Sequence, residues 1–337
     1  MQMKKKIKIK HKIRTFSDFG GTSLRIFVLL CSLCCLPMAA QNEMQINGFA
    51  NAPSIMNPAA AGSTGSIKAL ASFRAQWVGF ENAPQTTVLG IDSEVKFLRN
   101  FHGIGASVVH DKTGTFTNML IDVNYSYHIE LDKGLLGLGM RAGIVNTAFT
   151  TSDLHATVNG LENDYHQDND EALQGSDDSA SSLDVGLGAY FQSKKSVLSF
   201  SMLHVNAPKL EMKSGSLVKY KPVATLFASR QFASSNDWKA DATLNAKTDF
   251  ASLQIEACVA ATIKEKVWFA TGYRLQDAVI FQVGANLSNG LCVGYSYDLC
   301  VSKLHKHNTG SHEIIATYSF DSNVEKRKKR YKSVRIL

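Results

Sequence analysis

From Ile67 to Phe320, apolar and polar side chains alternate with a period of two in almost every segment, and no amphipathic helix longer than two turns interrupts the pattern. In MLIDVNYSYHI, one face carries Met119, Ile121, Val123, Tyr125, Tyr127 and Ile129, and the other carries Leu120, Asp122, Asn124, Ser126 and His128. VIFQVGANLS divides the same way, with Val279, Phe281, Val283, Ala285 and Leu287 opposing Ile280, Gln282, Gly284, Asn286 and Ser288. LCVGYSYDL and LQIEACVAA repeat the division. The chain is therefore predicted to be all-β, with about fourteen strands near the ten residues that a tilted strand needs to cross a bilayer. Glycines at alternate positions, Gly137 with Gly139 and Gly186 with Gly188, keep strand spacing and open no helix, so they are not a nucleotide-binding loop.

Alternation fits a soluble sandwich as well as a membrane barrel, because the two differ only in which face is buried. Loop length separates them. Connections after even strands (FLRNF, ELDKG, QSKKS, FASSND, IKEK, SNG) are short, whereas three after odd strands, 148–181, 206–219 and 300–311, are long. Bacterial barrels sort their loops in this way, with short turns in the periplasm and long loops outside. The last strand, EIIATYSF, aligns Ile314, Ala316, Tyr318 and Phe320 on its apolar face, and a terminal aromatic suits a closing barrel strand. Aromatic residues also gather toward strand ends, as at Trp77, Phe80, Phe97, Phe101, Tyr125, Tyr127, Phe191, Tyr273, Tyr295 and Tyr297. Such residues favour the headgroup level of a membrane. These features predict a transmembrane antiparallel β-barrel of the outer-membrane type.

Composition changes the picture at the two ends. The first forty residues run from a lysine-rich start through the apolar IFVLLCSLCCL to PMAA, the order of a secretory signal peptide cleaved near Ala40. That leader holds eight Lys or Arg and one acid, so its removal subtracts +7 from a chain whose formal charge is +7. The mature protein is then near neutral. Basicity concentrates in the tail, at Lys326, Arg327, Lys328, Lys329, Arg330, Lys332 and Arg335. The body has no basic face, which argues against a nucleic-acid partner. The sequence thus divides into a signal peptide (1–40), a periplasmic N-terminal segment (41–65), a barrel (66–320) and a basic periplasmic tail (321–337). Cys258, Cys292 and Cys300 remain after cleavage; they read as small buried residues, with a Cys292–Cys300 bridge as the alternative.

Four stretches have a more specific character: NAPSIMNPAAAGS, SFRAQWVGFENAPQTT, GIGASVVHDKTG and NTGSHEIIATYSF. In order and spacing they resemble the PorP/SprF family of type IX secretion system membrane proteins, over about residues 41–320. The resemblance implies a non-enzymatic outer-membrane β-barrel, set among outer-membrane lipids, that serves type IX export, gliding motility or the surface retention of a secreted adhesin bearing a sorting domain. It also implies contacts with periplasmic components of that machinery. The motif positions that it carries over as candidate partner-binding residues are Asn57, Pro58, Gly62, Arg74, Gln76, Trp77, Gly79, Phe80, Pro84, Asp111, Lys112, Gly114, Gly310, Ser311, His312 and Glu313. An acidic stretch at 148–181 and the basic tail depart from the family pattern.

Other chemistry is thinly supported. The segment from Ala148 to Ser182 holds eight acids and no Lys or Arg but lacks EF-hand spacing, so it reads as a solvated outer loop. The HKH at His305 to His307 reads as polar loop and not as a metal site. No motif ties a nucleophile to a base and an orienting group, and no cofactor is implied. The rival function is a solute channel, since Asp122, Asn124, Gln254, Glu256, Gln282 and Asp298 would give a lumen polar walls.

Overall fold

The computed structural model describes residues 44–150, 178–287 and 290–320. The leader, most of the acidic stretch and the tail, including Lys326, Arg327, Lys328, Lys329 and Arg330, lie outside the described residues. The strands in chain order are β1 (Ile67–Ala75), β2 (Gln85–Phe97), β3 (Asn100–Thr113), β4 (Phe116–Leu131) and β5 (Gly134–Phe149). Next come β6 (Asp178–Ser193), β7 (Ser196–Leu203), β8 (Lys209–Glu211), β9 (Leu217–Lys219), β10 (Val223–Ser234) and β11 (Trp238–Thr248). The last five are β12 (Leu253–Ile263), β13 (Val267–Arg274), β14 (Ala278–Asn286), β15 (Leu291–Cys300) and β16 (Ser311–Phe320).

Fourteen of these strands close into one antiparallel barrel, each beside its sequence neighbour and with β1 against β16. Strands β8 and β9 form a separate hairpin inside the β7–β10 connection. Closure leaves no free edge, which satisfies the backbone in a medium without water. The even-to-odd turns are as short as Leu98–Arg99, Asp132–Lys133 and Lys194–Lys195. The long connections fall at the opposite end.

Burial is inverted relative to a soluble sandwich. On β4, Asp122, Asn124, Ser126 and His128 are buried, whereas Ile121, Val123, Tyr125 and Tyr127 are exposed. The same holds on β5, where Arg141 is buried between exposed Met140 and Ile144. Outward apolar side chains such as Leu183, Leu187, Phe200, Leu226, Phe269, Phe281 and Ile314 form the lipid-facing band. Aromatics edge it at both ends. Near the short turns, His102 joins Tyr125 through a 2.8 Å bond and lies 5.4 Å from the Tyr127 ring; near the long loops, the outward Tyr297 ring lies 5.2 Å from His312. Phe101 does not belong to this belt, because it pairs with Lys96 on the inward face, where the ammonium is 6.0 Å from its ring. The cysteine bridge is also excluded. Cys292 and Cys300 occupy one extended strand eight positions apart, about 26 Å at 3.3 Å per residue, and all three described cysteines are free.

Candidate functional site: a plugged lumen and a stitched rim

The segment before β1 has no strand periodicity, and the structure explains why. Residues 46–62 do not stand apart as a periplasmic segment, as the sequence division had them, but lie inside the barrel. Two short turns shape this plug, a helical turn α1 (Pro53–Met56) and a 3-10 turn at Pro58–Ala60, each opened by a proline at its first position. Asn57 caps the second turn, its Oδ1 accepting from the Ala59 N–H at 2.9 Å. Its Nδ2 donates to the wall, at 3.0 Å to the Ala189 carbonyl, 2.8 Å to Ser199 Oγ and 3.1 Å to the Phe200 carbonyl.

The wall meets the plug with glycine. A Cβ on Gly188 would collide with Asn57 Oδ1, one on Gly137 or Gly139 with the Ala59 backbone, and one on Gly103 with the Ala61 carbonyl. The alternate glycines and the small N-P-A-A-A-G run are therefore two halves of one close contact. Gly62 ends it at φ +67°, donating its N–H to Asp92 at 2.9 Å. Above this contact, Ile46, Ile55 and Met56 pack with Leu70, Val88, Val109, Phe227 and Ile315. Full burial of each large apolar side chain contributes about 1.5–3 kcal/mol.

Charged wall residues hold the plug backbone. Arg74 on β1 stands directly opposite Glu313 on β16 at the barrel seam, 3.2 Å away, and reaches Asp298 at 2.6 Å. Glu313 accepts from the backbone N–H groups of Asn47 at 2.9 Å and Gly48 at 3.3 Å. The Asn47 side chain donates to Ser296 and Asp298 and accepts from Arg274 at 2.5 Å, while Arg274 also pairs with Glu256 at 2.8 Å and Asp298 at 2.9 Å. Arg74 and Glu313 are 2% and 1% exposed, so neither charge could remain there without its partners. Arg141 forms a second hold: its Nε donates to Asn124 at 2.9 Å, and its Nη2 donates to the plug carbonyls of Ser54 at 3.3 Å and Ile55. Ser54 Oγ in turn donates to Asp92 at 2.8 Å, Ser126 Oγ donates to the Ala59 carbonyl at 2.9 Å, and a His128 ring nitrogen meets the Ala61 carbonyl at 3.0 Å.

The remaining motif residues stitch the long-loop rim beside this seam. The Val78 N–H donates to the Gly310 carbonyl at 2.8 Å, the Thr309 N–H returns a bond to the Val78 carbonyl at 2.8 Å, and the Trp77 N–H donates to Ser311 Oγ at 3.0 Å. Trp77 adopts φ +51°, and Gly79, at φ +114°, passes over His307 and Asn308. The Gln76 N–H closes the same loop on the Pro84 carbonyl at 2.9 Å. Next along the rim, Thr86 donates to Asp111 at 2.6 Å and the Gly114 N–H donates to the Asn82 carbonyl at 3.1 Å, with Lys112 exposed beside them. Motifs far apart in sequence thus converge on one sector, from β16 through β1 to β3.

The family described as type IX secretion system membrane protein PorP/SprF matches residues 38–318. The chain belongs to this family. No curated protein matches it. Among solved structures it is similar to the KdgM porin, at 9% identity over 75% of this chain and 99% of that one, with a TM-score of 0.37. It is also similar to a Pseudomonas aeruginosa FadL homologue (10%, 79% and 93%, 0.45) and to the translocator domain of the autotransporter NalP from Neisseria meningitidis (10%, 89% and 97%, 0.40). As a PorP/SprF protein it is a type IX secretion component with an outer-membrane-type barrel.

Of the PorP/SprF motif residues, Asn57, Pro58 and Gly62 shape the plug, Arg74 and Glu313 lock it, and Gln76, Trp77, Gly79, Phe80, Pro84, Asp111, Lys112, Gly114, Gly310 and Ser311 occupy the rim. His312 is the exception. It points outward, where its Nδ1 meets the Tyr295 hydroxyl at 2.6 Å. The sequence missed Asn47, Arg141 and Arg274, although inward Asp122, Glu256 and Asp298 signalled buried charge that needed partners. It also placed 206–219 as an outer loop, yet β8 and β9 fold back into the mouth. Leu210 is 0% exposed, and Asp178 accepts from the Lys213 and Ser214 N–H groups at 3.1 and 2.8 Å. His305 and His307 are exposed on the rim, and among the described residues no group of His, Cys, Asp and Glu gathers to bind a metal.

Proposed function

We propose that this PorP/SprF protein serves type IX secretion as a closed, non-enzymatic docking platform in the outer membrane and does not act as a conduit. The observation that carries this reading is the buried lock of Arg74, Glu313 and Asp298 on Asn47, which keeps the chain's own N-terminal segment in the lumen. The stitched sector of Trp77, Val78, Phe80 and Gly310 supplies an ordered surface for a partner, which suits export, gliding motility or the retention of a secreted adhesin with a sorting domain. A solute-channel reading gains nothing from polar walls that already bind the plug. The experiment is single-channel recording of the purified full-length protein in planar bilayers. Silence is expected, and a steady ohmic conductance in the parent protein would remove the platform reading.

The short turns and the tail are assigned to the periplasm, by the loop sorting that bacterial barrels show. Protease added to intact cells is expected to cut within residues 151–177 and to spare residues 321–337; the reverse pattern inverts the orientation. In that orientation the tail residues Lys326 to Arg330 face the periplasmic secretion components. Their charge suits an acidic partner, a contact that salt would screen. Truncation after Ser322 should lower co-purification of those components at low salt, and unchanged recovery would exclude the tail.

A further inference from the structure

The β8–β9 hairpin in the mouth carries positive charge that its described surroundings do not answer. Along β8, Leu210 points down and is buried, so Lys209 and Glu211 point up and are exposed. On β9, Leu217 and Lys219 are exposed beside them, and the register sets Lys209 directly opposite Lys219. Like charges opposite each other destabilise a strand pair, and this ladder has only three pairs to hold it. Lys213 is exposed at the turn. Among the described residues none of these three lysines has an ion pair, whereas Lys221, at the hairpin's exit, meets Asp249 at 3.4 Å. Lys209, Lys213 and Lys219 thus face Glu211 alone, a net +2 on the hairpin.

The matching charge is in the chain itself. Segment 151–177 joins β5 to β6 with 27 residues, seven acids and no Lys or Arg. Its two ends meet neighbouring strands side by side, since Phe149 and Asp178 are register partners. Both ends also stand on hairpin contacts: Asp178 accepts from the Lys213 and Ser214 N–H groups, and the Thr147 hydroxyl meets the Tyr220 hydroxyl at 3.0 Å. A chain of that length spans up to about 90 Å, ample to lie along a three-pair hairpin at its feet. Position selects these lysines over Lys303 and Lys306 at the same rim. In the closed ring β5 and β6 are one to three places from β7 and β10, which bear the hairpin, but five to seven places from β15 and β16, which bear Lys303 and Lys306.

We propose that the upper face of the β8–β9 hairpin is a seat for the acidic segment 151–177 of the same chain, whose carboxylates sit against Lys209, Lys213 and Lys219. The pairing relieves the Lys209–Lys219 repulsion and cancels charge of both signs at one mouth. It is exposed, so each pair contributes little and salt screens it. The proposal rests neither on which end of the barrel faces the periplasm nor on the docking-platform reading.

The test is carbodiimide coupling of the purified full-length protein, which joins a carboxylate to an amine only where the two touch. Lys239 and Glu265, 2.8 Å apart, are the internal standard and should couple at every salt concentration. In the monomer band at low salt, Lys209, Lys213 or Lys219 should be joined to acids between Glu162 and Glu171, and these products should fall several-fold by about 0.5 M salt. Changing Lys209 and Lys219 to Gln should also raise the rate of Glu-specific proteolysis after Glu162 and Glu171 about three-fold or more at low salt. That variant loses no buried group, so its barrel should remain heat-modifiable. Coupling of the standard without any hairpin product overturns the proposal. So do products confined to Asp177, which its neighbour Asp178 already holds beside Lys213, products that run to Lys112, Lys303 or Lys306 instead, and products found only between separate chains. A folded variant cut at the parent's rate overturns it as well.

Discussion

Replacing Arg74 by Met is expected to destabilise the barrel by about 3–5 kcal/mol, the cost of breaking a buried ion pair from one side. The substitution leaves Glu313 buried with only the Asn47 and Gly48 N–H groups against its charge, and Asp298 with Arg274 and the Asn47 side chain. Glu313→Gln in the same background removes the stranded charge. The double variant should therefore lose clearly less stability than the two single losses added together, with a coupling of at least about 1 kcal/mol. Urea unfolding in lipid vesicles, followed by tryptophan fluorescence, measures all four corners of the cycle. If Arg74→Met stays within about 0.5 kcal/mol of the parent, or the two losses simply add, the seam pair is not the lock described here.

The lock also shows where sequence reading stopped. Period-two alternation revealed the strands because a barrel wall repeats one rule, apolar to lipid and polar inward, and each strand obeys it independently of the others. Loop lengths revealed closure and parity for the same local reason. The plug obeys no period. Its partners are single residues far along the chain: Asn47 meets Glu313 across 266 positions, and Asn57 meets Ser199 across 142. Gly137, Gly139 and Gly188 were visible as strand glycines, but their purpose required knowing what backbone pressed on them. Arg74 and Glu313 were legible as motif residues. Only the β1–β16 register shows that they face each other. The hairpin at β8 and β9 escaped for a related reason, since a loop that folds inward has the composition of one that points out until Leu210 and Met212 are seen buried.

A side chain placed at the glycine seat should dislodge the plug while leaving every charge in place. Gly103→Ala sets a methyl group against the Ala61 carbonyl, and Gly139→Ala sets one against the Ala59 backbone and 2.6 Å from the Pro58 carbonyl carbon. Each obstacle is backbone, which cannot swing aside as a flexible side chain would. The strands themselves tolerate alanine, so the barrel should still form and remain heat-modifiable. The plug should leave its seat for part of the time. Planar-bilayer recordings of Gly103→Ala and Gly139→Ala are then expected to show openings absent from the parent. Gly105→Ala is the control: it lies two residues along the same inward face of β3, its nearest atoms are 3.2 Å away in Asp92 and the Ile91 carbonyl, and the plug comes no nearer than the 3.7 Å of Ala61 Cβ. It should stay silent. If the two seat variants form normal barrels that are as silent as the control, the glycine contact is not what keeps the N-terminal segment in the lumen, and the hydrogen bonds of Glu313, Arg274 and Arg141 to it suffice.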